Sequence, residues 1–413
     1  MTEEIRILHE DDYMAFARIA AQAFPGMDLR TPAQFDAFVE NRLHKHPFRE
    51  FSQLVGLFRG GVLLGGMRVL DYTMNIAGQL RPIGGVGMVS VGQLHKRQGV
   101  ARELIAHFCR HYRAHGSPVT ALYPFRPDFY GALGYGHGTP LHSYRLAPQQ
   151  FPDHGDRGGL VLLGAGDAAA LGACYQRCFA ATHGLFARRS AEIARVVEDP
   201  ENTVVGVLRD GVLRGYLVFQ HRPDGDFTMN IEIRELLYED RAAFFSLCAY
   251  LSTQRDQFRT ILFHTQEAGF HHLLHDPRDG SGRVAPHAYH ASSTTGVGLM
   301  YRISGLGQFF TTQVHPAWVG GNVVRFNVHD RLLAEHTGAA TVRFADSQAA
   351  LVDAPAACTV TLDVAAFSSL ALGVVSLRRL HAYGKAEIDD EQAIAAVDRL
   401  FTLPDPPVCV TRF

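Results

Sequence analysis

The apolar pattern of this chain changes period at Val91. The run Gly84 to Val91 (GGVGMVSV) reads as a long strand whose glycines leave the backbone accessible. Beyond it, Val100, Leu104, Ile105, Phe108 and Tyr112 recur at three- and four-residue spacing, the apolar face of one helix, which His115-Gly116 ends. Between strand and helix lies Gly92-Gln93-Leu94-His95-Lys96-Arg97-Gln98-Gly99, a basic, glycine-containing turn. The free N–H groups of a helix N-terminus and the helix dipole together make an anion site. Gly99 lets the backbone approach a phosphate closely, and Lys96 and Arg97 add mobile positive charge. A pyrophosphate is the natural guest. Alone, such a turn also occurs as an ordinary exposed connection.

The elements around this turn make a mixed α/β domain over residues 1–150. Residues 4–8 alternate as a short strand, and Asp11 is placed to cap a helix carrying Phe16, Ile19, Ala20 and Phe24. Thr31-Pro32 opens a second helix. Strand runs 54–58 and 62–70 flank Arg59-Gly60-Gly61, and runs 72–76 and 80–91 flank Ala77-Gly78. A buried strand at 119–123, a short helix in PFRPDFYGALGYG and a strand reaching Leu146 complete it. With 413 residues the chain is too long for one core, which rarely exceeds about 250–300 residues. After a linker at 150–156, residues 151–295 repeat the mixed pattern without a counterpart of the Gly99 turn. Residues 296–413 form a third region. Its expected strands are 323–327, 341–344 and 358–362, followed by helices at 364–372, capped by Asp363, and 387–400. The apolar lead-in Val408-Cys409-Val410 reads as a docked strand.

A net charge of -2 gives no basic footprint for nucleic acid. No apolar run reaches the roughly 18–20 residues that span a bilayer. The opening MTEEIRILHEDD lacks the basic-then-apolar layout of a signal peptide, so a cytoplasmic location is expected. The six cysteines are spread too widely for a disulfide framework, and Cys174 and Cys178 read as buried thiols. His264, His271, His272, His275, His287 and His290 crowd one stretch at spacings that match no metal site, and no metal is expected.

Lys96-Arg97-Gln98-Gly99-Val100-Ala101 resembles the Q/R-x-x-G-x-G/A signature with which the GNAT superfamily of N-acetyltransferases binds acetyl-CoA, Lys standing at the first place. Asp128-Phe129-Tyr130-Gly131-Ala132-Leu133-Gly134-Tyr135-Gly136 is similar to the FYGRFGYG segment of the enhanced intracellular survival (Eis) acetyltransferases. The resemblance extends over the whole chain. It implies an α/β (α+β) fold of two tandem GNAT-like mixed-sheet domains, the second without a CoA signature, and then a sterol-carrier-like domain over 296–413.

That resemblance assigns roles. The backbone of Val89 and Val91 would meet the pantetheine arm and thioester of acetyl-CoA, Met88 would line the acetyl pocket, and Lys96 to Ala101 would cradle the pyrophosphate. Tyr130 matches the general acid that protonates the departing thiolate, a role worth about 10²–10⁴-fold. The residues alone leave a buried structural tyrosine as the other reading, with Tyr135 as competitor. Phe413 matches the terminal residue whose carboxylate acts as base. An α-carboxyl titrates near about 3.3–3.7 in water and is a weak base unless desolvated. No metal or covalent intermediate is implied. Asp28, in Phe24-Pro25-Gly26-Met27-Asp28, matches an acidic acceptor-pocket position. Arg412 departs from the family, whose members that acetylate polycations carry an acidic residue just before the final aromatic.

The implied partner is a small-molecule amine, aminoglycoside- or polyamine-like, or a lysine, and the implied assembly is a homohexamer. A lipid-binding protein with a vestigial transferase domain is the alternative. The persistence of the Lys96–Ala101 turn together with Tyr130 favours the enzyme.

Overall fold

The computed structural model describes residues 3–46, 49–224, 229–285, 289–315 and 317–413. The chain divides into two compact units, one of Met1–Gly138, Leu299–Pro407 and Thr411–Phe413, the other of Thr139–Gly298 and Val408–Val410.

The first unit begins β1 (Glu3–Ile7), α1 (Glu10–Ala23), α2 (Pro32–Phe38), β2 (Ser52–Arg59), β3 (Val62–Ile76), β4 (Gln79–Val91), α3 (Val100–Ala114), β5 (Val119–Leu122), α4 (Pro127–Ala132) and β6 (Gly136–His137). Its seven-stranded sheet runs β1-β2-β3-β4-β5, then Met300–Ile303, then β6. Neighbours are antiparallel except β4 and β5, which are parallel. Local chemistry explains these elements. The His9 N–H is taken by the Asp12 carboxylate at 2.9 Å, so α1 is capped at His9 rather than at Asp11. Thr31 accepts from Gln34 N and opens α2 as expected. Runs 62–70 and 72–76 are one continuous strand. Asp71, which looked like a break, accepts a 2.6 Å hydrogen bond from the Tyr112 hydroxyl of α3. Two adjacent glycines in β3 admit helices on both faces. A side chain at Gly65 would sit 2.8 Å from Val100 of α3, and one at Gly66 2.9 Å from Phe16 of α1.

Sheet membership departs from the expected boundaries at 150 and 295. Leu141–Leu146 pairs in the second sheet, and Met300–Ile303 completes the first by pairing with β5 and β6. A strand's own pattern reports that it is half-buried, not which sheet it joins.

The second unit holds a seven-stranded sheet in the order Ser293–Gly296, Leu141–Leu146, Phe258–Thr265, Met229–Tyr238, Val212–Pro223, Asn202–Arg209, Leu160–Leu163. Where the first unit has its glycine turn, the second has Asp240, whose carboxylate accepts from Ala243 N at 2.9 Å and caps helix Arg241–Thr253. An internal carboxylate thus occupies the helix end where a phosphate would need free donors. Val408–Val410 forms no strand pair among the described residues. It is docked by Val408 N on His183 O (2.9 Å) and Cys409 N on Gln266 Oε1 (2.6 Å). All six cysteines are free and buried.

The rest of the first unit is a five-stranded sheet, Gln348–Leu351, Gly338–Ala345, Asn322–His329, Cys358–Asp363, Ala386–Ile388, under helices that include Leu306–Thr312, Val364–Ala371 and Ile394–Phe401. Asp363 caps its helix through Ala366 N (2.7 Å). The expected helix 387–400 begins only at Ile394. Its supposed start is edge strand, and Asp389 and Asp390 take the N–H groups of Thr359 and Gln392. Among the described residues no helix is long and apolar enough to cross a membrane, and no group of His, Cys, Asp or Glu could hold a metal ion. Of the histidine-rich stretch, His287 lies outside the described residues.

Candidate active site

The parallel pairing of β4 with β5 stops at Val86–Leu122. Beyond it Gly87, Ser90 and Val91 pair only with β3 among the described residues, Met88 and Val89 pair with neither neighbour, and Gly87, Met88 and Val89 are half-buried where the preceding Ile83 to Val86 are buried. Met88 has φ 52°, and the register with β3 jumps there from Gly66–Ser90 to Arg68–Gly87. This bulge turns successive side chains apart. Met88 packs with Phe16, Leu43 and Leu54 on the α1 face, and Val89 and Val91 pack on the α3 face. The strand therefore leaves backbone groups outside the sheet ladder, of which Met88 O accepts from Ser90 Oγ at 2.9 Å.

At the end of β4 the chain enters the basic turn. Lys96, Arg97, Gln98 and Gly99 are exposed and Val100 is buried. Arg97 (φ 62°) and Gly99 (φ 83°) are both left-handed, and no atom lies within 4 Å of where a Gly99 side chain would stand. The first hydrogen bond of α3 is Glu103 N to Gly99 O, so the N–H groups of Val100 and Ala101 point into that space unclaimed by the helix. Gln98 braces the turn, its Nε2 donating to Leu94 O at 3.0 Å. Backbone donors and open room thus adjoin two exposed basic residues in the chain, features that suit a pyrophosphate.

Tyr130, on α4, is 2% exposed and stands edge-on to Phe125, Phe129 and Tyr135. Its hydroxyl has no partner among the described residues, and burial pushes its pKa up to about 12. A tyrosine so placed keeps its proton at neutral pH and has a donor to give. Tyr135 differs. It is bound to Thr120 Oγ1 (3.2 Å) and Cys109 Sγ (3.7 Å) within the core, which is a structural part. The α4 turn is anchored by Arg302, whose Nη1 donates to Leu133 O at 2.8 Å and whose Nη2 pairs with Asp330, all fully buried.

Phe413 lies over β4. Its ring is held between Tyr72 and Tyr123, both at 5.3 Å between centroids, and Tyr123 also donates to Thr411 O at 2.8 Å. A side chain at Gly85 would meet the Phe413 ring at 3.2 Å, and one at Gly87 its main-chain carbonyl carbon at 3.3 Å. Gly85 and Gly87, two apart on one face, are thus the bare floor on which Phe413 rests. The sequence reading valued these glycines only for an accessible backbone and missed Tyr72 and Tyr123. Their signal, one aromatic within β3 and one just after β5, on the two strands flanking the glycine-bearing β4, is too common to stand out.

The expected acceptor residues are less convergent. Phe24 caps the end of α1, and Asp28 is exposed and stands 2.6 Å from Arg30, both side chains largely in solvent. Arg412 is exposed.

Residues 4–138 and 184–303 each match a family described as an acetyltransferase (GNAT) domain, and residues 317–410 match a sterol carrier protein domain. The chain belongs to the GNAT superfamily. In this GNAT protein the two domains are followed by the sterol-carrier-type domain, an Eis-like arrangement. An uncharacterized N-acetyltransferase of Streptomyces avermitilis is 27% identical over 54% of this chain and 56% of its own length. The N-acetyltransferase Eis of Mycobacterium tuberculosis is 30% identical over 24% of this chain and 25% of its own. The chain thus spans about half, or less, of the curated relatives it matches. Two crystal structures share the fold of this GNAT protein from end to end. One is a GCN5-related N-acetyltransferase from Anabaena variabilis (TM-score 0.82, 17% identical, 100% of both chains). The other is Eis1 from Mycobacterium abscessus (TM-score 0.77, 21% identical, 99% of this chain and 100% of that one).

Proposed function

We propose that the chain transfers the acetyl group of acetyl-CoA directly to a primary amine, in the domain that carries β4. The observation that carries this reading is the end of β4–β5 pairing at Val86, beyond which β4 runs into the left-handed Arg97–Gly99 turn. Acetyl-CoA is a co-substrate, its pyrophosphate on Lys96 to Ala101 and its pantetheine arm along Val89 and Val91. The amine nitrogen attacks the thioester carbonyl carbon, and backbone N–H groups of β4 stabilise the oxyanion. The C–S bond breaks, and the sulfur takes the Tyr130 proton as it leaves. The amine proton passes to the Phe413 carboxylate, which gives it up through solvent while the Tyr130 phenolate takes one back, so the products are an N-acetyl amide and CoA thiol and the enzyme is unchanged. The second domain supplies no second CoA site, since Asp240 occupies its helix end.

The apolar-ligand alternative is disfavoured by packing. The space between the third region's sheet and its helices is filled by Phe310, Trp318, Phe326, Phe344, Phe367 and Phe401, whose rings meet at 5.3–6.4 Å. That region's role is to support the chain that ends in Phe413. By resemblance the assembly is a hexamer, which sedimentation would test.

The test is acetyl-CoA-dependent thiol release by the purified protein with aminoglycosides, polyamines, arylamines and lysine peptides. Tyr130→Phe and a chain ending at Arg412 run beside it. Turnover lost in both variants supports the mechanism. No turnover and no acetyl-CoA binding overturns it.

A further inference from the structure

Arg68 is the most unusual charge near this site. It stands in β3 between Leu54 of β2 and Gly87 of β4, in direct register with both. Directly opposed residues of antiparallel strands project to the same face. Arg68 therefore leaves the sheet on the face where Gly87 carries the Phe413 main-chain carbonyl, four residues before Tyr72, which holds the Phe413 ring.

Its side chain is 4% exposed, yet only Nη2 has a partner, the Arg42 carbonyl oxygen at 2.6 Å. Nε and Nη1 are buried with no acceptor, and no carboxylate pairs with the guanidinium among the described residues. Burial lowers its pKa to about 10, so it remains a cation at neutral pH. The residue lines a cavity of about 150 Å³ with Tyr13, His46, Arg49, Ser52, Gln53 and Leu54, and no acidic side chain is among the lining. An uncompensated buried charge is strongly destabilising, and a pocket that keeps one is complementary to an anion.

We propose that the amine acceptor also carries a carboxylate, and that Arg68 binds it: the substrate class is an amino acid or amino-acid-like zwitterion rather than a polycation. This rests on the acetyl-transfer reading and narrows it.

The experiment uses the full chain, acetyl-CoA and acceptor pairs that differ only in the carboxylate: phenylalanine with phenethylamine, tyrosine with tyramine, lysine with cadaverine. In the unmodified protein the acid of at least one pair should have kcat/KM at least tenfold above its amine. Arg68→Met should lower that preference at least tenfold, and Arg68→Lys should keep part of it. A preference for the decarboxylated partner in every pair, or one that Arg68→Met leaves unaltered, overturns the inference while acetyl transfer stands. If acetyl-CoA binds without turnover, calorimetric binding of the amino acids decides: binding weakened in Arg68→Met supports the anion site, and no binding overturns it. Absence of both turnover and acetyl-CoA binding overturns both readings.

Discussion

Gly134→Ala should cost the first unit much of its stability, and the size follows from two contacts. Gly134 has φ 85°, a conformation that costs a residue with a side chain about 1–2 kcal/mol. The new methyl group would also overlap the Arg302 guanidinium and stand 2.6 Å from Val364 Cγ1. Relief means moving Arg302 off Leu133 O and off Asp330, and breaking a buried ion pair typically costs about 3–5 kcal/mol. The total, on the order of 4–7 kcal/mol, is a large part of the roughly 5–15 kcal/mol that holds a domain together. Trp318, the single tryptophan, is buried in the first unit, so urea unfolding followed by its fluorescence reports that unit alone. The control is Gly131→Ala, three residues earlier in the same motif, where a side chain would meet nothing within 4 Å. It should lie within about 1 kcal/mol of the parent, on the stabilising side if helix propensity dominates. Equal unfolding midpoints for the two variants would refute the reasoning, because sequence alone ranks these glycines alike.

Tyr130→Phe should lower kcat about 100-fold with the KM for acetyl-CoA within about threefold; an unchanged kcat would remove Tyr130 from the mechanism. Because burial raises the Tyr130 pKa to about 12, its neutral form is favoured in the folded state. Its contribution to stability is complete below the ordinary tyrosine pKa near 10 and fades as pH rises from there toward 12. Steady-state rates should accordingly show no loss from this group up to about pH 10, and a Tyr130-dependent falling limb at pH 8 would contradict the burial argument. A single glycine appended after Phe413 shifts the terminal carboxylate by about 3.3–3.6 Å. It should lower kcat at least tenfold while leaving acetyl-CoA binding within about threefold, as calorimetry would show. Lys96→Ala should raise the KM for acetyl-CoA several-fold, with a smaller effect at high salt, where exposed charges are already screened.

The basic turn between β4 and α3 was legible because three independent local signals coincide at it: the change of period at Val91, the cations at 96 and 97, and Gly99. The short helix with Tyr130 was legible for similar reasons. What could not be read locally were the partners of residues far apart in the chain. In VLLGGMRVLDY, Arg68 looks like the polar, outward member of an alternating strand, and only its burial shows otherwise. The three glycines of FYGALGYG look equivalent in sequence. They differ because Arg302, more than 160 residues on, lies against Gly134, and Ala365 and Ser369 lie against Gly136. The exchange of Leu141–Leu146 and Met300–Ile303 between sheets is of the same kind, since pairing partners are a tertiary choice.

That exchange bears on how the protein is made. The strand that covers the outer edge of β5 is Met300–Ile303, and the whole of Thr139–Gly298 is translated before it. At about 5–20 residues per second, it leaves the ribosome on the order of 10–30 s after β5. Through that interval a nascent chain carries Val119–Leu122, four apolar or small residues, with one side of its backbone hydrogen bonds unmade. An aborted product ending in the second unit would keep that edge for its lifetime. Such fragments should be prone to aggregation and bound by chaperones, and a stand-alone version of the first GNAT domain should need Leu299–Ser304 fused back onto it to stay in solution.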